Sequence, residues 1–149
     1  MIQTRLRDLR AETRLERAGV EPTPRRTAVL RCLLDSDSTL PPREILERLR
    51  GDMPMNKVTL YRILDLFVDA RLVERHSSGG RAFHYCAAGA ERGEEHCHFH
   101  CTRCDRTQCV ALADLPFTPQ TLSAALPMRV ERMELRFDGV CRDCLRAGS

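Results

Sequence analysis

Leu72-Val73-Glu74-Arg75-His76-Ser77-Ser78-Gly79-Gly80-Arg81-Ala82-Phe83-His84-Tyr85-Cys86 is the stretch on which the fold turns. Two β-type runs flank a Ser/Gly turn, which predicts a hairpin. Upstream of it the apolar residues recur at helical spacing instead. A first helix from about Thr4 to Ala18 places Leu6, Leu9 and Leu15 on one side, and Gly19 ends it. Thr23-Pro24 opens a second as N-cap and first helical residue, with Ala28, Val29, Cys32 and Leu33 turned inward. After the loop from Asp35 to Thr39, Pro41-Pro42 starts a third that carries Ile45, Leu46 and Leu49, and Gly51 to Pro54 breaks it. Asn56 caps a fourth, whose apolar positions include Leu60, Ile63, Leu64 and Phe67.

Three or four short helices followed by a hairpin is the order of a winged helix-turn-helix. On topology alone, a small helical core with a decorative hairpin stays open. The fourth helix favours the DNA-binding reading, because Asn56, Lys57, Thr59, Tyr61 and Arg62 are donors suited to phosphates and base edges near its N-terminus.

Residues 87–95 are small, Gly-containing and acidic, and read as a hinge between a winged-helix domain over 1–86 and a second domain over 96–149. The second domain carries Cys101-x-x-Cys104 and Cys141-x-x-Cys144. A two-residue spacer lets both sulfurs of a knuckle reach one ion at ~2.3 Å, and four thiolates close a tetrahedral structural zinc site. Two thioredoxin-like redox pairs are the alternative, but the strand-to-helix setting of that chemistry is missing. A second cluster comprises His96, Cys97, His98, His100 and Cys109, with Cys86 and Glu74 on the arms of the hairpin. If residues 96–101 are extended, alternation puts His96, His98 and His100 on one face, offering several imidazoles to a single ion. Cys97 reads as a ligand, a reactive thiol or a packed residue; Cys32 reads as a small buried one, and His76 and His84 as surface positions of the hairpin. Pro119 to Ala125 is a helix candidate and Val130 to Phe137 a strand-like run.

The 149 residues hold 24 basic and 21 acidic side chains but only five Phe, two Tyr and no Trp, so neither half can build a large core. Eight cysteines fit a chain that leans on metal. Residues 1–86 carry a net charge of +4 and residues 87–149 a net −1, a modest bias toward an anionic partner for the first half. Met1 to Asp8 does not resemble the apolar core of a signal peptide, and no apolar run approaches the ~18 residues of a membrane span. The expectation is a cytoplasmic protein with no membrane partner, whose thiols stay reduced.

Together these residues resemble the ferric uptake regulator (Fur) family of metal-sensing bacterial repressors. The match runs from Thr23 and Arg26 through Thr59-Leu60-Tyr61-Arg62 and the hairpin to His96-x-His98-x-x-Cys101-x-x-Cys104 and Cys141-x-x-Cys144. The resemblance implies an α+β homodimer: an N-terminal winged helix on operator DNA, contacted by Arg26 besides the fourth-helix residues, and a small C-terminal α/β dimerisation domain. It implies Cys101, Cys104, Cys141 and Cys144 as a structural zinc site, and a regulatory site built from Glu74, Cys86, His96, His98 and Cys109. Iron-sensing members usually have carboxylates where Cys86 and Cys109 stand, and thiolates favour Zn(II), so the chain looks most like the zinc uptake regulator (Zur) branch, with about two Zn2+ per protomer.

The chain departs from the family pattern in three places. Glu21 stands where a DNA-contacting Lys is expected, Met133 and Phe117 fall near the positions of third-site His and Glu ligands, and the hinge before His96 is longer than usual. The expected function is thus a zinc-responsive transcriptional repressor, with a sensor of iron, manganese or peroxide as the alternative in the same family. An enzyme with a catalytic zinc is disfavoured, because the His-x-Glu and Pro-Cys-x-x-Cys pattern of zinc deaminases and Gly-rich phosphate loops are both missing, and no small organic substrate is expected. A thiol redox switch through Cys97 or Cys109 is a third class.

Overall fold

Backbone chemistry sets the helix boundaries of the N-terminal part. In the computed structural model, which describes residues 2–77, 82–87, 96–111, 116, 118–131 and 135–148, the first four elements are α1 (Ile2–Arg17), α2 (Pro24–Leu34), α3 (Pro42–Leu49) and α4 (Lys57–Asp69). Thr23 caps α2, its hydroxyl accepting from the Arg26 amide at 3.4 Å while Pro24 occupies the first turn, where its missing N–H costs nothing. Asn56 caps α4 in the same way, accepting from the Thr59 amide at 2.8 Å. Arg71, in the left-handed region at φ 56°, turns the chain out of α4 toward the hairpin.

The chain forms two units, Met1–Ala90 and Glu91–Ser149. In the first, α2 and α4 supply the centre of the core: Val29, Leu30, Leu60, Leu64 and Phe67 are completely buried, closed over by Leu15 of α1, Ile45 of α3 and Leu40. Phe67→Ala is expected to destabilise this unit by roughly 3–5 kcal/mol, read as a lower denaturant midpoint, because the ring's contacts are lost and a cavity remains. The inward faces of α2, α3 and α4 are those read from the sequence. That of α1 is not: Leu6 and Leu9 are exposed, whereas Ala11 and Leu15 are buried. The small Ala11 belongs to the buried face of a helix lashed to its neighbours by Arg31, whose guanidinium reaches Asp8 at 2.6 Å and also binds Asp52.

The predicted hairpin is present as antiparallel β1 (Glu74–Ser77) and β2 (Phe83–Cys86), in a register that sets Glu74 opposite Cys86 and His76 opposite His84. Its Ser78 to Gly80 turn lies outside the described residues, as do hinge positions 88–95 and both Phe117 and Met133. Leu40 adds a third partner to the hairpin, exchanging both backbone hydrogen bonds with Tyr85 at 2.9 Å.

In the second unit, β3 (His96–Cys101) is the middle strand, antiparallel to β4 (Thr107–Ala111) and parallel to β5 (Arg136–Gly139). α5 (Pro119–Ala125) coincides with the predicted helix and carries a capping box between Thr118 and Thr121. The strand predicted over 130–137 is shifted: β5 runs Arg136–Gly139, with 132–134 outside the described residues, because pairing with His98 through Cys101 fixes its extent. α6 (Arg142–Ala147) follows directly. The architecture is an α+β winged helix followed by a small α/β unit bearing a four-cysteine cluster.

Candidate functional site

The two cysteine knuckles converge because β3 and β5 run parallel and end together. Cys101 closes β3 opposite Gly139, and Cys141 lies just beyond. Gly139 permits this approach, since a Cβ there would stand 3.3 Å from the Phe99 ring. The sulfurs of Cys101, Cys104, Cys141 and Cys144 lie within 4.8 Å of one another, and those of Cys104 and Cys141 are 3.8 Å apart. A regular tetrahedron with ~2.3 Å metal–sulfur arms has an edge of about 3.8 Å, so the spacing fits a zinc-sized ion bound by four thiolates.

The electrostatics agree. The Cys101 thiol is pulled down to about 6, first by the backbone amide of Cys141, which donates to its Sγ at 3.3 Å, and then by that of Cys104. The Cys144 thiol is pushed up to about 12 by the neighbouring sulfurs of Cys141 and Cys104. Thiolates so crowded repel one another, and a divalent cation at their centre removes that repulsion.

The remaining candidate ligands divide between the units. In the first, the ligand atoms of His76 and Cys86 lie within 4.8 Å of each other, while the Glu74 carboxylate stands 3.4 Å from the His76 Nε2. Burial opposes protonation of His76, but the Cys86 and Glu74 side chains outweigh it and hold the imidazole up at about 9. In the second, His96 and His98 bring their ring nitrogens within 4.8 Å, the rings meeting edge to face at a centroid distance of 4.7 Å. Cys109 lies across from His98 in the β3–β4 register.

Two positions differ from the sequence reading. His100 shares the strand face of His96 and His98, yet its ring is taken by carboxylates, Asp105 at 2.7 Å and Asp138 at 3.0 Å. His76 is not a plain surface residue: it is partly buried against Cys86. Its signal was the two-residue offset from Glu74, which puts both on one face of β1 and makes His76 the diagonal neighbour of Cys86. Cys97 is a packed residue, fully buried, with its thiol donating to the Val110 carbonyl at 3.6 Å and its pKa raised by burial. Cys32 is buried in the first core, where burial likewise raises its pKa.

On α4, Asn56, Lys57, Tyr61 and Arg62 are exposed and Thr59 is half-buried, all within the first two turns. The Arg26 guanidinium, by contrast, donates to the Glu21 carbonyl at 2.8 Å.

A winged helix joined in sequence to a unit with a four-cysteine cluster points to the class of transcription regulators. The sequence profile of the ferric uptake regulator family matches residues 17–137, and the chain belongs to that family of metal-responsive transcription regulators. It is similar to the peroxide-responsive repressor PerR of Staphylococcus epidermidis, 26% identical over 136 residues that cover 91% of this chain and 88% of the relative. The fold is shared with the Helicobacter pylori ferric uptake regulator Fur, at a TM-score of 0.67 and 20% identity, covering 100% of this chain and 97% of the other. A zinc uptake regulator complexed with zinc and DNA is also similar, at a TM-score of 0.63 and 22% identity, covering 95% and 94%. No helix among the described residues is long and apolar enough to cross a membrane.

Proposed function

We propose that this chain is a zinc-responsive, homodimeric, cytoplasmic repressor that binds double-stranded operator DNA and controls metal homeostasis genes. The observation that carries the reading is the donor set: a sulfur, that of Cys86, stands beside His76, and two further imidazoles, His96 and His98, stand together on β3. A mixed sulfur and imidazole set suits Zn(II) better than the harder ions that carboxylate sites hold. One zinc would be structural, in the four-cysteine site. A second, regulatory zinc would draw its ligands from Cys86, His96 and His98, with His76, Glu74 and Cys109 completing or supporting the set. Similarity to a zinc uptake regulator complexed with zinc and DNA supports the same choice. A peroxide-responsive reading is favoured instead by the 26% identity to PerR.

Titrating buffered Zn(II), Fe(II) and Mn(II) into the chelated dimer while following operator binding separates these readings. Stimulation by Zn(II) at the lowest free concentration is expected. Stimulation by Fe(II) alone, abolished by peroxide, would replace zinc sensing with peroxide sensing.

DNA is proposed to meet Asn56, Lys57, Thr59, Tyr61 and Arg62 at the start of α4, and Arg26 on α2. Tyr61→Ala and Arg62→Ala are expected to leave zinc content unchanged and to weaken operator binding by roughly 1–3 kcal/mol each. Arg62→Ala should also weaken nonspecific DNA and reduce the salt slope, whereas Tyr61→Ala should act mainly on the specific site. Unaltered binding by both variants would mean that this helix does not face DNA.

A further inference from the structure

His100 lies outside the proposed ligand sets, yet its side chain is only 13% exposed and both of its ring nitrogens are occupied. Nε2 faces Asp105 at 2.7 Å and Nδ1 faces Asp138 at 3.0 Å. Asp138 is held in turn by Arg136, whose Nη2 and Nε donate to it at 2.7 and 3.1 Å.

The places of these residues in the chain give the contact its meaning. His100 immediately precedes the first knuckle, Asp105 immediately follows it, and Asp138 sits three residues before Cys141 on the neighbouring strand. One imidazole therefore pins both ends of the first knuckle and the approach to the second. Other bonds tie the same two segments: the Thr102 amide donates to the Gly139 carbonyl at 2.7 Å, and Arg103 to the Cys144 carbonyl at 3.3 Å.

Asp105 supplies a second, independent observation. Its φ of 61° lies in the left-handed region, where glycine is the unstrained residue and an aspartate costs backbone energy. The chain thus places a carboxylate where the backbone alone favours glycine, and that carboxylate engages His100.

We propose that His100, gripped between Asp105 and Asp138, is a positioning residue for the four-cysteine site that holds its two knuckles together and slows the escape of the ion. The proposal rests on the reading of those cysteines as a zinc site. Loss of zinc requires the knuckles to separate, and each bond that bridges them without touching the metal raises the barrier to that opening. Groups hydrogen-bonded to metal ligands commonly change metal affinity by about 10- to 100-fold, and His100 acts one step further out, through the residues that flank the cysteines, so the lower end of that range is expected.

The test uses the zinc-loaded full-length protein, challenged with excess EDTA and followed as zinc remaining on the chain against time. The slow phase reports the four-cysteine site. His100→Ala and Asp105→Gly are expected to accelerate it on the order of tenfold. Asp105→Gly should do so with an equal or higher thermal midpoint in saturating zinc, since glycine relieves the left-handed backbone, and a residue important only for folding would not separate the two readouts. With Co(II) in place of zinc, the sulfur-to-cobalt charge-transfer band should be unchanged in both variants, showing all four thiolates still bound. Slow-phase rates equal to the wild type in both variants would overturn the proposal. A wild-type protein with no slow phase would instead overturn the zinc reading of the cysteines themselves.

Discussion

Cys141→Ser is expected to strip the proposed structural zinc from the protein and unfold the second unit. Cys141 is buried, its sulfur lies 3.8 Å from that of Cys104, and its own amide supports the Cys101 sulfur. A serine hydroxyl is a poor zinc donor, so the substitution removes one of four thiolates, while the backbone amide at position 141 that supports the Cys101 sulfur is kept. Structural zinc contributes on the order of 10 kcal/mol of folding free energy in small domains, comparable to the whole stability of an ordinary domain. The described core residues explain why nothing compensates: the large buried hydrophobic cluster belongs entirely to the first unit, and the second buries chiefly Cys97, Cys101 and Cys141. Elemental analysis and far-ultraviolet circular dichroism check the loss of metal and of structure together. A Cys141→Ser protein that kept its zinc and its strands would refute the structural role.

Cys86→Ser and His98→Ala should produce the opposite separation, sparing stability and removing the response. Each is expected to leave a folded chain with its slowly exchanging zinc, yet to erase the stimulation of DNA binding by added zinc. An ion shifts a conformational equilibrium only by its preference for one state, and such couplings are typically worth 1–3 kcal/mol, so a stimulation of about 5- to 150-fold should fall to none. Ligand deprotonation gives this response a sign with pH: thiol and imidazole must lose protons to coordinate, and zinc stimulation should weaken as pH falls. Parallel His76→Ala and Glu74→Gln variants decide which β1 residue takes part. Operator-binding titrations with free zinc buffered are the measurement, and a full response in both Cys86→Ser and His98→Ala would end the regulatory-site proposal.

What could be read in the sequence follows from the range of the interaction that writes each feature. Thr23-Pro24 and Asn56 announce their helices because capping is completed within three residues. The knuckles are legible because thiolate spacing is local. Leu6 and Leu9 mislead because periodicity gives the face of a helix without saying which neighbour arrives to cover it; in α1 the buried side follows Ala11 and Leu15. The closeness of His76 to Cys86 is not legible in the sequence because it depends on hairpin register, a property of the pairing and not of either strand. The shift of β5 has the same origin, a parallel pairing with a strand some forty residues earlier. The capture of His100 needs both that pairing and the backbone turn at Asp105.

The bridge between Leu40 and Tyr85 bears on how a pull at Cys86 would be felt. Tyr85 is almost wholly buried and bonded in both directions to Leu40, two residues ahead of α3, while Cys86 is the very next residue. Hairpins often behave as loose flaps, but this one is riveted to the body of the winged helix at the point where its sulfur is offered. An ion gripping Cys86 would thus have a stiff handle with no slack to take up, and would act on the winged helix as a body and not on its hairpin alone.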